Sequence, residues 1–227
     1  MTDDKKAEQL SIADEPRGRA YVWTSWITKL LAGESKCWYA AWYKAHFKYL
    51  KRADAADRAD FFAEYNKTHD RIVRDRVDLL TAKGQEGGPW TVKVEEEGEF
   101  KIRGSGGDLS GKPDIVAMRG NVAVVVDAKS GKPRESDHWQ VRLYALFIPM
   151  AWLKGFSDVR GEVEYRDHVE QVKLNPTRDR EKIGAALRIV TGETAPKATP
   201  GADCKFCDIQ RCAFRHEKAE GDAGGVF

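Results

Sequence analysis

A chain of 227 residues is long enough to bury a substantial core and suits one compact domain. Its 38 Lys and Arg nearly cancel 36 Asp and Glu, leaving +2, so no global field marks a nucleic-acid binder or a polybasic membrane protein. No apolar run approaches membrane-spanning length and the opening MTDDKKAEQL lacks the apolar core of a secretory signal, so a cytoplasmic protein with no membrane partner is expected.

Taken in chain order, residues 1–18 are polar and read as a mobile segment, with residues 19–218 as the folded body. Helical patterns fill residues 23–83, with breaks expected near Gly33 and around Asn66. Trp38, Tyr39, Trp42, Tyr43 and Phe47 follow Cys37 at helical spacing. Core packing is the plainer reading of this set, and stacking on single-stranded bases the sharper one. His69 shares a helical face with Ile72, Val73, Arg76 and Leu80, so it points at whatever that helix packs on. His46 lies on the preceding aromatic-rich helix. Basic residues recur as Lys44, Lys48, Lys51 and Arg52, as Arg71, Arg74 and Arg76, and as Arg178, Arg180 and Lys182. Each group is a solvated face unless the groups converge into a phosphate-tracking groove.

Strands are expected over residues 90–128. Ile115 to Met118 and Val122 to Val126 are apolar runs separated by Arg119-Gly120-Asn121, a hairpin signature. The second run is apolar throughout, as in a strand covered on both faces, and it ends on a charged residue, Asp127, that needs a partner. A divalent cation would supply one. Asp127 and Lys129 share a face by alternation, while Ala128 points away and offers its carbonyl; with Asp114 these oxygens suit Mg2+ or Mn2+. Gly106 to Lys112 imitates a Walker phosphate loop, but Pro113 stands where Ser or Thr must follow and a strand replaces the helix, which excludes nucleotide hydrolysis by that loop.

A helix from Ser136 to Leu153 places Gln140 and Tyr144 one turn apart. Strands at 158–166 and 168–174 precede a helix from Pro176 to Val190, a loop to Asp203, and a polar tail from Ala219 (residues 219–227). Cys204, Cys207 and Cys212 form C-x2-C-x4-C. In a reducing compartment such thiols bind metal rather than pair as disulfides. By spacing alone, a Cys3His zinc knot completed by His216, which leaves Cys37 an ordinary buried cysteine, and an iron-sulfur centre stand about even.

Pro113-Asp114, Asp127-Ala128-Lys129 and Gln140 with Tyr144, in that order, resemble the PD-(D/E)xK nuclease superfamily and its RecB-like branch. One cysteine before this core and three after it, with Ser25-Trp26-Ile27 ahead of Cys37, are similar to the iron-sulfur nucleases, comprising the CRISPR-associated exonuclease of the "Cas-four" family and the AddB-type nuclease domain. The resemblance implies an α/β restriction-endonuclease-like core with a mixed central β-sheet flanked by helices. It also implies a 4Fe-4S cluster on Cys37, Cys204, Cys207 and Cys212 tying an N-terminal helical region to the C-terminal segment. His69 becomes the upstream metal ligand beside Asp114, Asp127 and the Ala128 carbonyl. Asp114, Asp127, Lys129, Gln140 and Tyr144 become the catalytic set. Where many members carry Glu at the second acidic position, this chain carries Asp127.

The activity implied is metal-dependent hydrolysis of DNA phosphodiesters, as an exonuclease on single-stranded or frayed ends. Partners implied are a CRISPR integrase complex or a helicase. Two alternatives stay open at this point: a non-catalytic iron-sulfur or zinc DNA-binding scaffold, and a defence endonuclease cutting duplex DNA or RNA internally.

Overall fold

The computed structural model describes residues 14–52, 59–84, 86–152 and 154–215. Its strands are β1 (Glu15–Pro16), β2 (Tyr21–Trp23), β3 (Phe47–Lys48), β4 (Thr91–Val94), β5 (Phe100–Arg103), β6 (Asp108–Gly111), β7 (Ile115–Arg119), β8 (Val122–Lys129), β9 (Asp158–Tyr165) and β10 (Val169–Val172). Its α-helices are α1 (Thr28–Ala32), α2 (Trp38–His46), α3 (Ala59–Thr81), α4 (Glu135–Ala151) and α5 (Pro176–Thr191). The main sheet runs β10-β9-β8-β7-β4, and a second sheet runs β2-β6-β5. β8 pairs β9 in parallel while β7 pairs β8 antiparallel, so the central sheet is mixed. This mixed α/β arrangement fits the expected restriction-endonuclease-like core. None of the described helices is long and apolar enough to cross a membrane.

Alternation along β7 and β8 sorts their side chains into two cores. Val116, Ala123 and Val125 pack with Trp139, Leu143, Tyr144 and Ile148 of α4. Ile115, Ala117, Val124, Val126 and Ala128 pack with Ile72, Val73 and Leu80 of α3. Coverage on both sides explains why β8 reads as an unbroken apolar run. The β7–β8 register ends at Arg119↔Val122, leaving a two-residue turn whose first position, Gly120, has φ +59. A positive φ there is the requirement of a II′ hairpin turn. At Gly161 in β9, a Cβ would meet the Val141 side chain at 2.4 Å; the missing side chain lets α4 settle onto the sheet.

Two expectations need correction. Helix α3 runs through Asn66 without a break, because Asn66 is exposed and an exposed Asn costs a helix only about 0.7 kcal/mol. The stretch read as helical from residue 23 is preceded by and interleaved with strands. Tyr21–Trp23 pairs in parallel with Asp108–Ser110, and Phe47–Lys48 pairs with Glu15–Pro16, placing aromatic and β-branched residues where a pleated surface suits them. β8 runs to Lys129, so Asp127 lies inside the strand.

The C-terminal segment docks on the early part of the chain. Gln210 donates its N–H to the Leu50 carbonyl at 3.0 Å and Arg52 its N–H to the Asp208 carbonyl at 3.0 Å. Lys44 Nζ lies 2.5 Å from Asp208, and Tyr49 donates to the same carboxylate at 2.8 Å. Residues 1–13 and 216–227, which include His216 and the expected tail, lie outside the described residues.

Candidate active site

The β7–β8 pairing stops at Ile115↔Val126, so Asp114 sits one residue beyond it, beside Asp127. The Ala128 N–H, with no β7 partner left, donates to Asp114 Oδ2 at 2.7 Å. In a strand the N–H and C=O of one residue point the same way, so the Ala128 carbonyl also faces the Asp114 side. His69 of α3 reaches this end of the sheet and brings its Nε2 to 3.2 Å from Asp114 Oδ2. The Glu95 N–H donates to the Asp114 carbonyl at 3.1 Å, which fixes the backbone of the aspartate.

Asp127 and Lys129 lie on the α4 face of the sheet, with Asp127 next to Asp114 across the end of the hairpin. Lys129 Nζ lies 2.6 Å from Asp127 Oδ2 and donates to Gln140 Oε1 at 3.2 Å. The Gln140 amide donates to Asp127 Oδ1 at 3.0 Å and to the Tyr144 hydroxyl at 2.9 Å. Tyr144 donates to the Lys112 carbonyl at 3.1 Å, two residues before Asp114. A chain of hydrogen bonds therefore runs from the strand carrying Asp127 and Lys129, through the helix, to the segment that delivers Asp114. Gly111 permits it, since a Cβ there would stand 2.8 Å from the rings of Phe100 and Tyr144.

Electrostatics single out the same groups. Asp127 is 1% exposed; burial pushes its carboxyl up to about 7, with Asp114 adding to the shift and Lys129 opposing it. Burial works to lower the Lys129 ammonium, and Asp127 and Asp114 outweigh it, holding the group above its ordinary range. The hydrogen bond to Asp114 raises the His69 imidazole against the effect of burial. Tyr144 is raised by burial and by the nearby Asp127 charge.

This donor set fits a divalent cation. Asp127 Oδ2 is buried and, despite the nearby ammonium, accepts no aligned hydrogen bond; two carboxylates and an imidazole supply the hard and borderline donors that Mg2+ or Mn2+ takes. Among the described residues, no group of three or more His, Cys, Asp or Glu is placed to hold a metal ion as it stands. Phosphate oxygens and water ordinarily complete such sites.

Three of the four thiols lie in the C-terminal segment. Cys37 precedes α2, Cys204 lies within a 3-10 turn at Ala202–Phe206, and Cys207 follows that turn directly. Cys204 Sγ accepts the Gly201 N–H at 3.4 Å, and burial raises the Cys207 thiol. Tyr39 feels both Cys212 and Cys37, which add to burial in raising its hydroxyl. The expected four-cysteine centre is not assembled: among the described residues, Cys37, Cys204, Cys207 and Cys212 do not come together as a group that could hold a metal.

Other expectations resolve differently. Tyr39, Trp42, Tyr43 and Phe47 pack on one another, and Tyr39 meets Phe214 edge-on, which favours the core-packing reading. Several of the basic residues are held in ion pairs within the fold. Lys44 pairs with Asp208 and Lys48 with Glu15, while Arg76 pairs with Glu162 and Glu164 on the α3 side of the sheet. His46 stacks on Trp42, and His138 bonds Glu170 at 2.7 Å. Three contributors carry no sequence signal: the Lys112 carbonyl, Glu34, which accepts the Ser136 N–H at 2.9 Å, and Arg215, which donates to the Cys204 carbonyl at 2.7 Å. Each acts on backbone atoms, which no residue pattern advertises.

No curated protein matches this sequence. The crystal structure of SSO0001 is similar over 90% of this chain and 89% of that one, at 14% identity and a TM-score of 0.44. The sequence model of the PD-(D/E)XK nuclease superfamily matches residues 27–214, a span that holds every group of the acidic site. Nucleases of this superfamily use divalent metals such as Mg2+ or Mn2+. By that match, the chain belongs to the PD-(D/E)XK nuclease superfamily.

Proposed function

We propose that this protein is a metal-dependent deoxyribonuclease that trims single-stranded or frayed DNA ends, within the RecB-like branch that includes the "Cas-four" and AddB-type nucleases. The observation that carries the hydrolytic part is the meeting of His69 and Asp114 with Asp127 and Lys129 at the open end of β8. A bound Mg2+ or Mn2+ supplies charge neutralisation of the phosphate and activation of the attacking water. His69, Asp114, Asp127 and the Ala128 carbonyl would hold it. Lys129 stabilises the negative charge that develops on the phosphate, and Gln140 keeps the ammonium and the carboxylate in register. Tyr144 anchors Gln140 to the Lys112 carbonyl.

For Cys37, Cys204, Cys207 and Cys212 the reading is a 4Fe-4S cluster that joins the start of α2 to the C-terminal segment. It is supported by the docking of residues 208–210 on residues 50–52 and by the shared proximity of Cys37 and Cys212 to Tyr39. The same branch supplies the partner class: a CRISPR integrase complex that receives trimmed ends, or a helicase that frays them.

The test uses end-labelled linear and closed circular single-stranded DNA with Mn2+, with Asp127→Ala and Lys129→Ala as controls. Linear DNA is shortened from its ends, circles survive and both variants are inactive. Equal cutting of circles would replace end-trimming with internal cutting, and no cutting of either by cluster-loaded wild type would favour the scaffold.

A further inference from the structure

We infer that Glu34 is a positioning residue for this reaction, acting through the N-terminus of α4. The inference rests on the nuclease reading of Gln140 and Tyr144 given above. Helix α4 starts badly on its own. Its cap position is Arg134, whose side chain has no acceptor and so satisfies none of the free N–H groups of the first turn. Asp137 reaches back to the Arg134 N–H at 3.0 Å, which completes only half of a capping box.

The missing acceptor comes from another part of the chain. Glu34 Oε1 accepts the Ser136 N–H at 2.9 Å, across 102 residues of sequence. Ser136 is 5% exposed, so water is a poor substitute, and a carboxylate at that end also complements the helix dipole. Gln140 follows Ser136 by one helical turn. Its amide is held at three points, by Lys129, Asp127 and Tyr144, so movement of the first turn is transmitted to the acidic site.

Glu34 is itself fixed in place. Gly33 closes α1 at φ +76, and the N–H groups of Glu34 and Ser35 both donate to the Lys29 carbonyl, at 2.9 and 3.1 Å. The Lys36 carbonyl then accepts Thr199 Oγ1 at 2.8 Å, and Cys37 comes next. One short loop thus joins the helix of the acidic site to the segment that carries the thiols.

The test compares Glu34→Ala, Glu34→Gln, Arg134→Ser and the Glu34→Ala/Arg134→Ser double variant, on linear single-stranded DNA with Mn2+. Arg134→Ser supplies a local cap and completes the box with Asp137. A several-fold fall in kcat is the expected size of such a loss of positioning. That fall is expected in Glu34→Ala with KM unchanged; Glu34→Gln, which keeps an acceptor, retains most activity, and the double variant recovers. Hydrogen exchange over residues 134–140 gives a readout independent of cleavage and should quicken in Glu34→Ala. A rise in KM with unchanged kcat, or a double variant no better than Glu34→Ala, overturns the inference. Unchanged exchange overturns the cap itself. A wild type that cuts nothing overturns the nuclease reading instead, and the positioning role with it.

Discussion

Gln140 and Asp127 share a 3.0 Å hydrogen bond in which the amide donates to the carboxylate, while the amide oxygen of the same Gln140 accepts from Lys129. Neither a carboxylate nor an ammonium could do both at once. Gln140→Glu would set a like charge against Asp127 and remove the donor, so it should be worse than Gln140→Ala. Hydrogen bonds to charged groups contribute about 1.5–3 kcal/mol, hence a fall in kcat of roughly 10- to 100-fold for Gln140→Ala. Steady-state rates on one linear substrate check this, and an active Gln140→Glu protein would contradict it.

Lys129 and Arg76 make opposite predictions. Removing Lys129 takes away an electrostatic contact at the phosphate and should raise the barrier by about 3–4 kcal/mol. Arg76 pairs with Glu162 and Glu164 on the other side of the sheet, and Gln171 donates to Glu162 at 2.7 Å. Arg76→Ala leaves two acids side by side in a largely buried place, so it should destabilise the fold by about 2–4 kcal/mol. Denaturant titration together with single-turnover rates separates the two. Arg76→Ala should lose stability and keep its chemistry while folded.

Acidity should govern the cation. In the folded chain Asp127 holds its proton up to about 7, against about 3.9 when unfolded. The metal-free fold therefore loses stability as the pH climbs from about 4 toward 7 and changes little beyond it from this source. The raised His69 imidazole must also be neutral to bind metal, which pushes in the same direction. A cation that needs the ionised carboxylate and the free imidazole should raise the melting temperature little at pH 5.5 and markedly at pH 8. An equal Mn2+-induced rise at both values would argue against metal on Asp127.

Arg215 offers a test of the thiol segment. Its guanidinium donates to the carbonyls of Cys204, Cys207 and Ile209, so one side chain gathers the loop that holds two cysteines. Arg215→Ala should lower the melting temperature and slow iron incorporation. Protein purified without oxygen should be brown, and Cys212→Ala should bleach it. A colourless protein with stoichiometric zinc would replace the cluster by a zinc knot.

Much of this arrangement was legible in the sequence wherever local periodicity reports burial. The apolar parity of β7 and β8 placed Asp127 and Lys129 on one face, and the i, i+4 spacing of Gln140 and Tyr144 placed both on one side of α4. The spacing of Ile72, Val73, Arg76 and Leu80 turned His69 inward. What stayed hidden depends on distant pairing. Tyr21–Trp23 becomes a strand because Asp108–Ser110 lies beside it, and the inward face that carries Arg76 gives no hint of Glu162 and Glu164, which arrive from β9. Nothing near Glu34 in the chain announces the helix it caps.

The acidic site draws on both sides of one sheet: His69 arrives with α3, Gln140 and Tyr144 with α4, and they converge only where β7 stops pairing. Neither layer alone contains a competent centre. On the proposed reading, a chain emerging from the ribosome lacks a complete centre until Tyr144 has been synthesised and both layers have closed on β8, so cleavage would report completed folding of this region.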